Sequence, residues 1–136
     1  MQKVKRLTLQ WLPLVLWMAI IFVVSHQPSD AIPRYGTWDV LLKKGGHLVA
    51  YAILAVLARH AGLSGRAALI LALIYAISDE LHQRFIPGRS GRPLDVMIDF
   101  VGALMGLAVY RLTGRWRREF RSDRTGVVAG QSPRDA

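Results

Sequence analysis

The chain has 136 residues, 52% of them hydrophobic, a net charge of +9 and no cysteine. That leaves room for one domain, excludes disulfides and thiolate metal sites, and leaves the redox compartment open. The mean hydropathy is positive, and the apolar runs are longer than a soluble domain of this size would carry.

Four apolar stretches follow one another, over about 7–24, 46–63, 67–86 and 94–112. Each is long enough, at about 1.5 Å per residue, to match a hydrocarbon core of about 30 Å. The first follows Lys3, Lys5 and Arg6 and resembles a signal peptide in outline. Its apolar run exceeds the usual ~7–15 residues and no small-x-small cleavage site follows, so it reads as a retained helix carrying Pro13. The loop after it is rich in turn residues (Pro28, Pro33, Gly36), with Tyr35 and Trp38 suited to a membrane interface. The third loop contains Pro87-Gly88-Arg89-Ser90-Gly91-Arg92, a tight basic turn. After Leu112 the chain is strongly basic, with Trp116 and Phe120 among its arginines.

The fold class that follows is all-α: a polytopic, four-transmembrane-helix bundle. Residues 1–112 form the membrane domain, and 113–136 a basic tail that hugs anionic headgroups and then becomes disordered. The basic residues of the N-terminus, the second loop (Arg59, Arg66) and the tail outnumber those of the other loops about two to one, which places both termini in the cytoplasm. Arginines flanking spans account for the net charge better than nucleic-acid binding does.

The polar residues within the spans carry the functional argument. A charged side chain at mid-helix costs about 2.5–3.5 kcal/mol on insertion scales. Asp79, Glu80, His82 and Gln83 end the third stretch, Asp95 and Asp99 begin the fourth, and His47 and Tyr51 lie one turn apart at the start of the second. All belong to one face of the membrane in any four-span reading. On the fourth helix Asp95 and Asp99 share a sector with Gly102 and Gly106, a small-x-x-x-small pair that admits a neighbouring helix. On the third, Glu80 projects about 100° from Asp79 and has the spacing to pair with Arg84. The candidate ligand-binding residues are therefore His47, Tyr51, Asp79, Glu80, Gln83, Arg89, Asp95 and Asp99. Lys43, Lys44, Arg89 and Arg92 supply a basic rim suited to phosphate.

Plainer roles exist for each. Arg89 and Arg92 could pair with Asp95 or with headgroups, Lys43 and Lys44 could be interfacial anchors, and Asp79 could be a helix-end acid bonded to the loop. His47 could bond Tyr51, and His26, His60 and His82 read as interfacial. Gly102 and Gly106 read as packing residues.

Taken together, Ser25-His26-Gln27-Pro28, Lys43/Lys44 through His47 to Tyr51, Asp79-Glu80-Leu81-His82-Gln83, Phe85-Ile86-Pro87-Gly88-Arg89, Asp95, Gly102 and Gly106 resemble the VanZ-like family of small bacterial membrane proteins. The resemblance runs to about Leu112. Where the family pattern has asparagine this chain has Asp99, which adds a negative charge and leaves open whether its ligand is the family's usual one. The resemblance implies a multi-pass envelope protein, and its founding member is linked to resistance to the glycopeptide teicoplanin. A phosphotransbutyrylase-like activity does not fit these residues, which include no acyl-carrier or phosphate-loop motif.

The leading expectation is a protein that binds an anionic lipid or cell-wall precursor headgroup, such as a polyprenyl phosphate, at an outward-facing polar cavity. Its partners are membrane lipids and, in an oligomer, further copies of itself. One alternative is an intramembrane hydrolase or transferase acting on a lipid phosphate, with His47, Glu80 and Asp95 as metal candidates. Another is a small proton-coupled lipid carrier in which Glu80 and Asp99 titrate.

Overall fold

The computed structural model describes the backbone of residues 2–27, 37–89 and 91–129, and the side chains of 8–27, 42–89 and 91–114. Pro28, Pro33, Tyr35, Gly36 and Ser90, and the side chains of Trp38, Trp116 and Phe120, lie outside the described residues. Four helices follow in order: α1 (Gln2–Ser25), α2 (Thr37–His60), α3 (Gly65–Gln83) and α4 (Pro93–Ala129). No strand occurs among the described residues.

The bundle is built from small residues inside and large ones outside. On α3, Ala68, Ala72, Ala76, Asp79 and Gln83 are buried at intervals of three and four, so one helical ridge passes from alanine into acid and amide. On α2 the buried set is Tyr51, Leu54, Ala55, Ala58 and Ala61; on α4 it includes Asp99, Ala103 and Leu107. A Cβ added at Gly102 would overlap the carbonyl of Leu48, and one at Gly106 the carbonyl of Ala52. The glycines therefore put the α4 backbone directly against that of α2, as the small-x-x-x-small spacing requires. The outward faces carry Leu12, Val15, Ile20, Ile70, Ile74, Val101, Met105 and Val109, all exposed. Large apolar side chains turned outward around a small-residue interior suit hydrocarbon rather than water.

α1 turns Leu14, Ile21 and Ser25 into the bundle. Polar ties supplement this narrow stripe: Trp17 Nε1 donates to the Ala50 carbonyl at 2.9 Å, and Tyr75 Oη to the Met18 carbonyl at 2.6 Å.

Two turns are specified locally. After α2, the Leu63 N–H donates to the Ala58 carbonyl and the Gly62 N–H to the Arg59 carbonyl, both at 3.1 Å. With Gly62 at φ 99°, this is a Schellman cap. Ser64 then caps α3 by accepting from the Ala67 N–H at 3.1 Å. After α3, the Arg89 N–H donates to the Ile86 carbonyl at 3.1 Å. With Gly88 at φ 75° and Pro87 before it, this is a type II turn.

Helices α1 over 8–25 and α4 over 93–114 are long and apolar enough to cross a membrane. α2 and α3 are of comparable length but carry the polar residues: Lys43, Lys44 and His47 on one, Asp79, Glu80 and His82 on the other. α2 starts well before the apolar run at 46, because Thr37 through Lys44 extends the helix without a breaker. α3 stops at Gln83 rather than at 86, where the Pro87-Gly88 turn begins. α4 continues to Ala129, beyond the apolar run that ends near 112; residues 115–125 contain no proline or glycine to stop propagation.

Candidate functional site

The ends of α1 and α3 and the starts of α2 and α4 meet at one end of the bundle, and the polar residues collect there. Asp79 is 4% exposed and Asp99 fully buried. Asp79 Oδ2 accepts from Ser25 Oγ at 2.8 Å and from Gln83 Nε2 at 3.0 Å. Gln83 lies one turn beyond Asp79 on α3, while Ser25 reaches it from the last residue of α1. His47 Nδ1 lies 3.2 Å from Asp99 Oδ1 across the α2–α4 interface, close but not aligned as a hydrogen bond. The His47 ring stacks with Tyr51 (centroids 6.5 Å apart, planes 11° apart), and Tyr51 in turn faces Tyr75.

This end of the bundle is under-satisfied. The Tyr51 hydroxyl, Asp79 Oδ1, both Asp99 oxygens, Glu80 Oε2 and Asp95 Oδ1 are buried atoms with no hydrogen-bond partner. Buried acceptors without donors are costly, about 1–3 kcal/mol each, and native proteins contain few of them. Their concentration at one end of a small bundle marks that end as the functional candidate.

The eight residues singled out from the sequence occupy neighbouring but distinct settings. His47, Tyr51, Asp79, Gln83 and Asp99 form the interior group. Asp95 lies at its margin, with Lys44 Nζ 3.8 Å from Asp95 Oδ1. Arg89 is turned toward α1: its Nε donates to the Gln27 carbonyl at 2.9 Å and its Nη2 to the Val24 carbonyl at 3.3 Å. The guanidinium thus braces the chain at and just beyond the C-terminal end of α1, where a cation is favoured by the helix dipole.

Glu80 faces elsewhere. One helical step from Asp79, it is 6% exposed and lines a cavity of about 320 Å³ between α3 and α4 with Ile77, Leu81, Arg84, Arg92, Pro93 and Val96. Its Oε2 has no hydrogen-bond partner. Gly91 packs so tightly on this carboxylate that a Cβ there would lie 3.0 Å from Glu80 Oε2 and closer still to the Glu80 carbonyl. Apolar walls, two exposed arginines and a buried acid thus share one cleft.

Sequence reasoning did not assign three of these contacts. Ser25 as a donor to Asp79 was legible in principle, because it continues the register of Leu14, Met18 and Ile21 on α1. Sequence spacing offers Arg84 as a partner for Glu80, and Arg92 as rim or as a partner for Asp95 or headgroups; their joint placement at the cleft depends on the α3–α4 crossing. His26 Nδ1 and His82 Nε2 lie 3.1 Å apart, beside Phe22, a pairing with no signal in either residue's own neighbourhood. The metal candidates His47, Glu80 and Asp95 do not converge: among the described residues no three His, Asp or Glu side chains are grouped to hold an ion.

Helical among the described residues, with two helices long and apolar enough to span a membrane, small residues inside and an acid–histidine group at one end: this is the class the geometry defines. The VanZ/LLP1 family model matches residues 10–114, and the chain belongs to that family, as a membrane protein. No curated protein and no solved structure matches it.

Proposed function

We propose that this VanZ/LLP1 protein is a four-span protein of the bacterial inner membrane that binds the phosphate-bearing headgroup of a membrane lipid or lipid-linked cell-wall precursor. Both termini lie in the cytoplasm, and the cleft between α3 and α4 receives the headgroup on the outer side. One observation carries the reading: Arg84 and Arg92 stand on an apolar-walled cavity whose remaining polar group, Glu80, is buried. Guanidinium groups bind phosphate through paired, charge-assisted hydrogen bonds, and Ile77, Leu81 and Val96 offer hydrocarbon contact beside them. A link to the envelope or to glycopeptide resistance would follow from sequestering such a lipid.

The test is phospholipid retention by the purified protein, measured by native mass spectrometry. Arg84→Ala/Arg92→Ala is expected to lose most bound phospholipid. Arg89→Ala, whose guanidinium is occupied by α1 carbonyls, is expected to keep it. Equal retention by the double variant and the wild type would end the proposal.

A second reading, a small proton-coupled lipid carrier, is favoured by the contact of half-buried His47 with buried Asp99, next to the unpartnered Tyr51 hydroxyl. Lipid translocation in proteoliposomes that is indifferent to an imposed pH gradient would remove it.

A further inference from the structure

From the unpaired Glu80 oxygen, we infer that the headgroup taken by the α3–α4 cleft is zwitterionic, a phosphate joined by a short spacer to a primary ammonium group, as in a phosphoethanolamine lipid. The inference rests on the proposed lipid-headgroup reading and names the ligand's second charge.

Glu80 and Arg84 lie one helical turn apart on α3, about 5–6 Å between Cβ atoms, and Arg92 closes the cleft from the start of α4. A phosphate held by both arginines therefore stands within a few ångströms of the Glu80 carboxylate. A headgroup bearing only negative charge would bring two like charges together in a cleft with apolar walls, where screening is weak. It would also leave Glu80 Oε2 without a donor. A primary ammonium removes both defects, since its three N–H groups can satisfy the buried oxygen while its charge offsets the carboxylate.

The same geometry separates primary from quaternary ammonium. A trimethylated nitrogen has the charge but no N–H to give, and none of the cleft-lining residues is aromatic, so the cation–π contact that recognises choline has no partner there. Asp95 faces Lys44, whose Nζ lies 3.8 Å from its Oδ1. Gly91 packs against the Glu80 carboxylate, whose buried Oε2 has no hydrogen-bond partner.

The experiment uses the full chain and three diacyl lipids with identical tails, carrying phosphoethanolamine, phosphocholine or phosphoglycerol. Binding is measured by native mass spectrometry titration. The phosphoethanolamine lipid is expected to bind about tenfold tighter than the other two, a difference of about 1.4 kcal/mol. Glu80→Gln should abolish the preference without abolishing binding. Mono- and dimethylation of the lipid amine should lower affinity stepwise in the wild type, a readout that needs no variant to fold. Equal or tighter binding of the phosphoglycerol lipid, or a Glu80→Gln preference equal to wild type, overturns the amine assignment and leaves phosphate binding standing. Loss of no lipid in Arg84→Ala/Arg92→Ala instead overturns the underlying reading. Displacement of the lipid by equimolar soluble phosphoethanolamine would overturn the assignment of a lipid as its source.

Discussion

Ser25 shows how much one small side chain can do at depth. Its hydroxyl is one of two donors to the buried Asp79 Oδ2, and it joins α1 to α3 at the polar end. Removing it leaves a buried carboxylate short of a donor. Ser25→Ala is expected to cost about 1–3 kcal/mol, read as a lower unfolding midpoint in detergent; an unchanged midpoint would mean that water or another group already serves Asp79. Asp79 and Glu80 illustrate the complementary point. They are adjacent in sequence, yet the 100° step of the helix sends one into the interior and the other into the α3–α4 cleft. That divergence was legible from the sequence. Which neighbour each would meet was not, because the partners come from α1 and α4.

At the scale of elements, glycine sets the distance between helices and the turn sets the direction of an arginine. Gly102 and Gly106 seat α4 on the backbone of α2, whereas a Cβ at Gly114 would meet nothing within 4 Å. The two sites should respond oppositely to the same change. Gly114→Ala should be neutral or stabilising by up to about 1 kcal/mol. Gly106→Ala should destabilise by about 1–3 kcal/mol through forced separation of the backbones. Matched thermal melts of the pair check this, and equal effects would refute the backbone contact. Arg89 depends on the Pro87-Gly88 turn, which points it at the Val24 and Gln27 carbonyls. Arg89→Ala should therefore speed hydrogen exchange in the last turn of α1 and spare α3. Faster exchange across the whole bundle would assign Arg89 a broader role.

At the scale of the molecule, the polar end and the arginine-rich end are opposite each other along an antiparallel bundle, which yields a direct test of topology. The chain has no cysteine, so single introduced cysteines report alone. His60, the last residue of α2, and Pro87, in the α3–α4 connection, are both exposed. In intact cells a membrane-impermeant maleimide should label Pro87→Cys and not His60→Cys. Labelling of both, or of His60→Cys alone, would contradict four spans with cytoplasmic termini.

The sequence by itself determined the helical class, the glycine face of α4, the Pro-Gly turn and the helix ends at which the ionisable residues lie. These are local properties, set by periodicity, by backbone freedom at single residues and by the energy of placing charge among apolar neighbours. Only the tertiary structure decided that Ser25 serves Asp79, that Arg89 closes the end of α1, and that Arg84 and Arg92 flank Glu80. Each of those facts joins residues from different helices. Periodicity specifies which way a side chain leaves its own axis, but the rotation and spacing of the neighbouring axis come from how alanine and glycine surfaces fit together along their whole length.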